Sequence, residues 1–222
     1  MKKLVYGVGV NDANYPVNTI SIDGKRRVCP FYRVWNDMLA RGYSQRIKNK
    51  QPTYRDVSVC KEWHRFSTFK TWMEQQPWKN MHLDKDLKCL GNRVYSPENC
   101  CFIPPKVNTL LLTCSSRRGD YPIGVSKDKI ASDMVNFLTN PYRAEVQTLS
   151  GKRIHLGMYA SPLDAHAAWQ KAKIVVIEDY INWWQFSPEV NHSFNQKVVM
   201  SLIDVTEKIE NDIRDGLETY SY

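Results

Sequence analysis

The chain has 222 residues, 42% of them hydrophobic, enough to bury a real core as one domain or as two small ones. Its formal charge of +8 is uneven: Lys and Arg outnumber Asp and Glu by 21 to 9 over residues 1–119, balance at 7 to 7 over 120–180, and fall to 3 against 7 over 181–222. The basic N-terminal half favours a polyanionic partner, and the lack of a secretory, transmembrane, repeat or glycine-rich nucleotide motif argues for a cytoplasmic protein with no membrane partner.

In chain order, residues 1–30 read as an arm of short apolar groups, Leu4-Val5-Tyr6 and Thr19-Ile20, broken by Gly, Asn and Pro and closed by Lys25-Arg26-Arg27. Apolar positions 31, 34, 35, 38 and 39 predict a helix over Phe31 to Arg41, and Trp63, Phe66, Phe69, Trp72 and Met73 predict a second that Pro77 stops. Between them SQRIKNKQPTYRD carries four basic residues, a face for phosphates or for water. Residues 81–96 read as two short strands joined through Gly91-Asn92, followed by a helix from Pro97 or Pro105 toward Leu112. The six cysteines, at 29, 60, 89, 100, 101 and 114, form no C-x-x-C pair. Reduced thiols are expected, with a zinc site from Cys60, Cys89, Cys100 or Cys101 as the alternative to buried small hydrophobes.

A basic linker, Ser115 to Gly119, leads to the most informative stretch, Tyr142 to Ala172. Arg143, Glu145 and Gln147 alternate with Ala144 and Val146, and Arg153 and His155 alternate with Ile154 and Leu156, so a hairpin turning at Ser150-Gly151 has one polar and one apolar face. Ser161-Pro162-Leu163-Asp164 supplies a helix start, and Ala168, Ala172, Val175 and Val176 a stripe to lie on the sheet. The aromatic run Tyr180, Trp183, Trp184 and Phe186 is expected to fold back. Val198, Leu202, Val205, Ile209 and Ile213 then mark a long amphipathic helix.

With Gly124-Val125, YRAEV at 142–146, GKRIHLGMY at 151–159 and SPLDAHAAWQKAK at 161–173, residues 119–180 resemble the AP2 DNA-binding domain. The resemblance implies a three-stranded antiparallel sheet in the major groove of double-stranded DNA, braced by a helix. Ser126, Lys127, Arg143, Glu145, Gln147, Arg153 and His155 would face the DNA, and Ser126 stands where plant members carry a reading arginine. An insertion from Lys129 to Pro141 departs from the pattern.

Upstream, VWNDMLARGY at 34–43, VCKEWHRFSTFKTWM at 59–73, LDKD at 83–86, YSPENCCFIP at 95–104 and Asn108 resemble the HNH-type nucleases of phages and their mobile introns. The family implies a ββα-metal fold that holds one divalent cation, Mg²⁺ or Mn²⁺, beside a base. Asp84 stands where the first metal-binding histidine stands, Lys85 at the base histidine, Asn99 at the loop-bracing asparagine and Asn108 at the ligand on the helix. Phosphodiester hydrolysis needs an activated water and positive charge on the phosphate oxygens. Asp84 and Asp86 would share one side of an extended strand, converging two hard oxygens on the metal. His82 and His64 are replacement bases, with a structural or phosphate-contact role favoured for His64. The expected protein is α+β: an arm over 1–30, an HNH-like domain over 31–118, an AP2-like sheet packed on one helix over 119–180, and an aromatic segment with an amphipathic helix over 181–222. Two functions follow. One is a metal-dependent, site-specific DNA endonuclease in the cytoplasm, the host's if phage-encoded. The other is a non-catalytic DNA-binding protein or phage regulator with a degenerate HNH core.

Overall fold

The computed structural model describes residues 3–112, 119–128, 139–186 and 196–221, so linker residues 115–118, Cys114 and insertion residues 129–138 lie outside it. Contacts divide the chain into two units, Met1–Ile103 and Pro104–Tyr222. From sequence, the division is drawn instead at residue 118. Both units mix helices with small sheets, an α+β chain.

In the first unit β1 (Asn18–Ile20) and β2 (Arg26–Val28) pair antiparallel, making part of the expected arm a hairpin. Helix α1 (Pro30–Tyr43) starts with proline, whose missing N–H would have no helical partner there. Its stripe Trp35, Met38 and Leu39 is fully buried against Trp63, Phe66, Phe69 and Met73. A short helix, α2 (Gln45–Lys50), and a 3-10 turn at Pro52–Tyr54 follow.

The second expected helix is broken into a 3-10 turn, Lys61–His64, and α3 (Phe66–Glu74). The break has a hydrogen-bonding cause. Trp35 Nε1 donates to the Trp63 carbonyl at 2.7 Å, while the His64 carbonyl accepts from Val10 N–H and Phe66 N–H donates to the Val10 carbonyl. The backbone at this junction is committed to the N-terminal segment. Asp12 from that segment caps α3, accepting from Ser67 N–H at 2.9 Å and Ser67 Oγ–H at 2.7 Å.

Segment 81–96 corrects the expected pairing. Strand β4 (His82–Asp84) pairs antiparallel with β6 (Cys101–Ile103), whereas β5 (Val94–Tyr95) runs parallel to β3 (Ser58–Val59). The stretch between β4 and β5 is therefore a stitched loop and not a hairpin turn. Helix α4 (Pro105–Leu110) follows β6 in sequence and belongs to the second unit.

The second unit is built on an antiparallel sheet ordered β7 (Val125–Lys127), β8 (Tyr142–Gln147), β9 (Arg153–Tyr159). Helix α5 (Pro162–Phe186) covers one face, with Ala165 and Ala168 against Val125 and Ala144. Its start is a reciprocal cap: Asp164 N–H donates to Ser161 Oγ, whose hydroxyl donates to the Asp164 carboxylate. The aromatic run expected to fold back forms the last turns of α5, since no Gly or Pro interrupts residues 173–186. Of the expected packing stripe Val176 is buried but Val175 is exposed, and Trp169, Ile177 and Trp184 are buried as well.

Helix α6 (Gln196–Arg214) packs on α5 through Val198, Leu202, Val205 and Ile209, as its spacing predicts. Three buried polar side chains on α5 are hydrogen-bonded, while the buried Trp184 Nε1 has no partner among the described residues. His166 Nε2 accepts from Thr219 N–H at 3.0 Å, which leaves its Nδ1–H to donate to the Ile123 carbonyl at 2.8 Å. Gln170 donates to the Leu217 carbonyl and to Thr219 Oγ, and Lys173 Nζ donates to the Leu110 carbonyl. Among the described residues no helix is long and apolar enough to cross a membrane.

Candidate functional site

The sheet of the second unit presents a polar face away from α5. Cross-strand partners share a face, so register assigns it directly. Ser126 lies opposite Arg143, Glu145 opposite His155, and Gln147 opposite Arg153. Six of the seven residues expected to face DNA are therefore brought together. Lys127 is the exception: it pairs with Tyr142, whose ring belongs to the α5-facing cluster, and register puts it on the opposite face.

A bulge between Ala144 and Glu145 shifts the register, and Gly157 at φ 137° accommodates it. Beyond the bulge Met158 lies opposite Arg143 and so joins the polar face, where strict alternation from Arg153 would put Gly157 and Tyr159. Gly124, at φ 79°, leads into β7 where a Cβ would collide with the Trp169 indole.

Charge on this face is unevenly engaged. Arg143 is held by Asp128 at 3.4 Å and Glu145 at 3.7 Å, and its Nε is buried without a hydrogen-bond partner. Ser126, Gln147, Arg153 and His155 are exposed. Arg153 makes no ion pair among the described residues, which leaves a whole guanidinium fork for an external acceptor. The loop Thr148–Lys152 is closed by Thr148 N–H to the Lys152 carbonyl at 2.8 Å, which stiffens the hairpin tip. Together the face offers cationic donors, a carboxylate acceptor and an amide that does both.

The first unit places His82 and Asp84 on the same face of β4, two residues apart, with Leu83 buried on the other. The strand ends at Asp84, so Asp86 lies in the following turn and the strand alternation expected to align it does not apply. Asp84 Oδ1 accepts from Asp86 N–H at 2.9 Å and Leu87 N–H at 2.7 Å. Burial raises its carboxyl above the ordinary value, the two amides oppose that, and the Asp86 carboxylate pushes the same way as burial.

Lys85 is only 5% exposed. Its ammonium donates to the Asp86 carboxylate and to the Asn92 carbonyl, which makes it an internal tie of the loop. Asn92 in turn donates to the carbonyls of Lys85 and Val94, both at 2.8 Å, and Asn99 donates to Asn92 Oδ1 at 3.0 Å. Asn99 thus braces the loop. His64 hydrogen-bonds the Tyr43 hydroxyl at 2.9 Å and stacks edge-on against its ring, a packing role.

As a divalent-cation site these residues do not fit. Asp84 has one oxygen engaged by two amides, the Asp86 carboxylate is spent on Lys85, and that ammonium would repel a second cation nearby. Asn108 lies on α4, in the second unit. Among the described residues no three His, Cys, Asp or Glu side chains group as metal ligands. Cys100 and Cys101 are buried, and burial, with the nearby Asp84 charge, pushes the Cys101 thiol up to about 12. Such thiols suit packing and not zinc. No family model, curated protein or solved structure matches the chain.

Proposed function

We propose that this protein binds double-stranded DNA and reads base edges in the major groove with the exposed face of β7, β8 and β9. The observation that carries this reading is the register that sets Ser126, Arg143, Glu145, Gln147, Arg153 and His155 on one face. A β-ribbon fits the major groove, where arginine pairs with guanine, glutamine with adenine and glutamate with cytosine. Helix α5 backs the sheet, so the reading side chains stand on a packed support. The basic excess of residues 1–119 would add affinity from phosphate contacts that is indifferent to sequence. The motif resemblance to AP2 domains leads to the same surface.

The test is a fluorescence-anisotropy titration with a duplex selected from a random library and with its scrambled counterpart. Arg153→Ala should cost about 1–3 kcal/mol on the selected duplex and much less on the scrambled one. Equal losses on both would reduce Arg153 to a phosphate contact, and no loss on either would remove this face from the interface.

A second reading, a metal-dependent endonuclease resembling the HNH group, is favoured by one observation. The antiparallel pair β4 and β6 is followed in sequence by α4, a ββα order, with His82 and Asp84 on one face of β4. The poor fit of the Asp84 loop to Mg²⁺ or Mn²⁺ places the binding reading first.

A further inference from the structure

The first unit holds a cleft at the elbow between α1 and α2 that neither the sheet nor the Asp84 loop uses. It encloses about 750 Å³ and is lined by Tyr6, Asp37, Arg41, Arg46, Lys50 and Tyr54 among others. Arg41, in the last turn of α1, is half-buried, and the groups it touches are neutral: Nη1 donates to the Tyr95 hydroxyl at 3.4 Å, and the guanidinium lies 5.9 Å from the Tyr54 ring centroid. No carboxylate comes within ion-pair distance of Arg41, Arg46 or Lys50 among the described residues. Asp37, one turn earlier on α1 and in the same cleft, favours the Arg41 cation from beyond ion-pair distance but takes no hydrogen bond from it, so the guanidinium fork keeps donors for an incoming anion. Arg46 and Lys50 are spaced i, i+4 on α2, so two further cations share one side of the cleft. Tyr6 sits on the rim in a left-handed backbone conformation at φ 49°, unusual for a tyrosine.

We infer that this cleft binds a phosphate carrying an unpaired nucleobase, the phosphate on Arg41, Arg46 and Lys50 and the base against the Tyr54 and Tyr6 rings. The volume lies within the range of pockets for ligands of that size. A guanidinium fork matches phosphate oxygens, and a tyrosine ring beside it offers a stacking platform that an acidic peptide would not use. The ligand can be a free nucleotide or one unpaired unit of a strand. The inference does not depend on DNA binding by the sheet.

The experiment is calorimetric titration of the full chain with inorganic phosphate, adenosine 5′-monophosphate, a short oligothymidylate and oligoglutamate. The mononucleotide should bind more tightly than phosphate. Arg41→Gln should weaken it at least about tenfold, Tyr54→Leu should erase its advantage over phosphate, and Lys79→Gln, outside the cleft, should change neither. Tighter binding of the oligothymidylate identifies a strand as the source, and no gain over the mononucleotide identifies a free nucleotide. Should Arg41→Gln fail to melt cooperatively, the exposed pair Arg46→Gln with Lys50→Gln carries the same expected loss. Absence of mononucleotide and oligothymidylate binding, unchanged binding in the folded variants, or equal binding of oligoglutamate would overturn the inference.

Discussion

Asp84 carries a charge that its surroundings disfavour while its oxygen performs a structural task. Burial raises the carboxyl above its ordinary value near 3.8, so the folded state holds a proton more tightly than the unfolded chain. The stability this contributes is full below that ordinary value and is lost as pH rises through the folded one. Asp84→Asn keeps an acceptor for the Asp86 and Leu87 amides and removes the charge. At neutral pH, without added metal, thermal melts should show Asp84→Asn at least as stable as wild type, with the advantage shrinking as pH falls toward 4. Asp84→Ala leaves two amides without their acceptor and should cost about 1–2 kcal/mol. A variant order with Asn below Ala at neutral pH would contradict this account of the loop. Lys85 occupies the position that the motif resemblance would give to a base, and its role is legible only from the fold: a residue 5% exposed and tied to Asp86 and Asn92 is a loop fastener.

Among elements, α3 depends on a cap from far away in sequence. Asp12 joins Ser67 and Arg65, and although burial raises its carboxyl, those hydrogen bonds outweigh burial and leave it lowered. The stability it contributes is present above the ordinary carboxylate range and is lost as pH falls through the lowered value. Asp12→Ala should destabilise by about 1–2 kcal/mol in denaturant melts at pH 7, and by less near pH 2; an equal cost at both would assign the loss to packing. The stripes of α1 and α6 and the β8–β9 hairpin are legible in sequence because each runs through several periods of 3.6 or 2. Strands β3, β4, β5 and β6 are two or three residues long and carry almost no period, so their partners are settled by distant contacts. The break at Arg65 follows from carbonyls claimed by Trp35 and Val10, and the face of Lys127 from register with Tyr142, neither of which local pattern encodes.

At the scale of the whole molecule, two units with separate cores divide the chemistry. The first carries the Asp84 loop and the cationic elbow; the second carries the polar sheet face, with α5 fastened to the C-terminal segment through His166, Gln170 and Thr219. If binding is the function and the Asp84 loop is structural, the full chain should leave a broad genomic DNA library intact in Mg²⁺ and in Mn²⁺. Cleavage that EDTA stops and Asp84→Ala abolishes would establish the nuclease reading in its place. The central claim concerns which surface meets DNA, and the most direct measurement is residue-resolved: amide and side-chain NMR shifts of the isotope-labelled full chain during titration with a selected duplex. We expect the largest changes at Ser126, Gln147, Arg153 and His155, with smaller ones at Arg143 and Glu145 and little along the α6-facing side of α5. Shifts that leave Gln147, Arg153 and His155 unmoved while another surface responds would contradict the assignment.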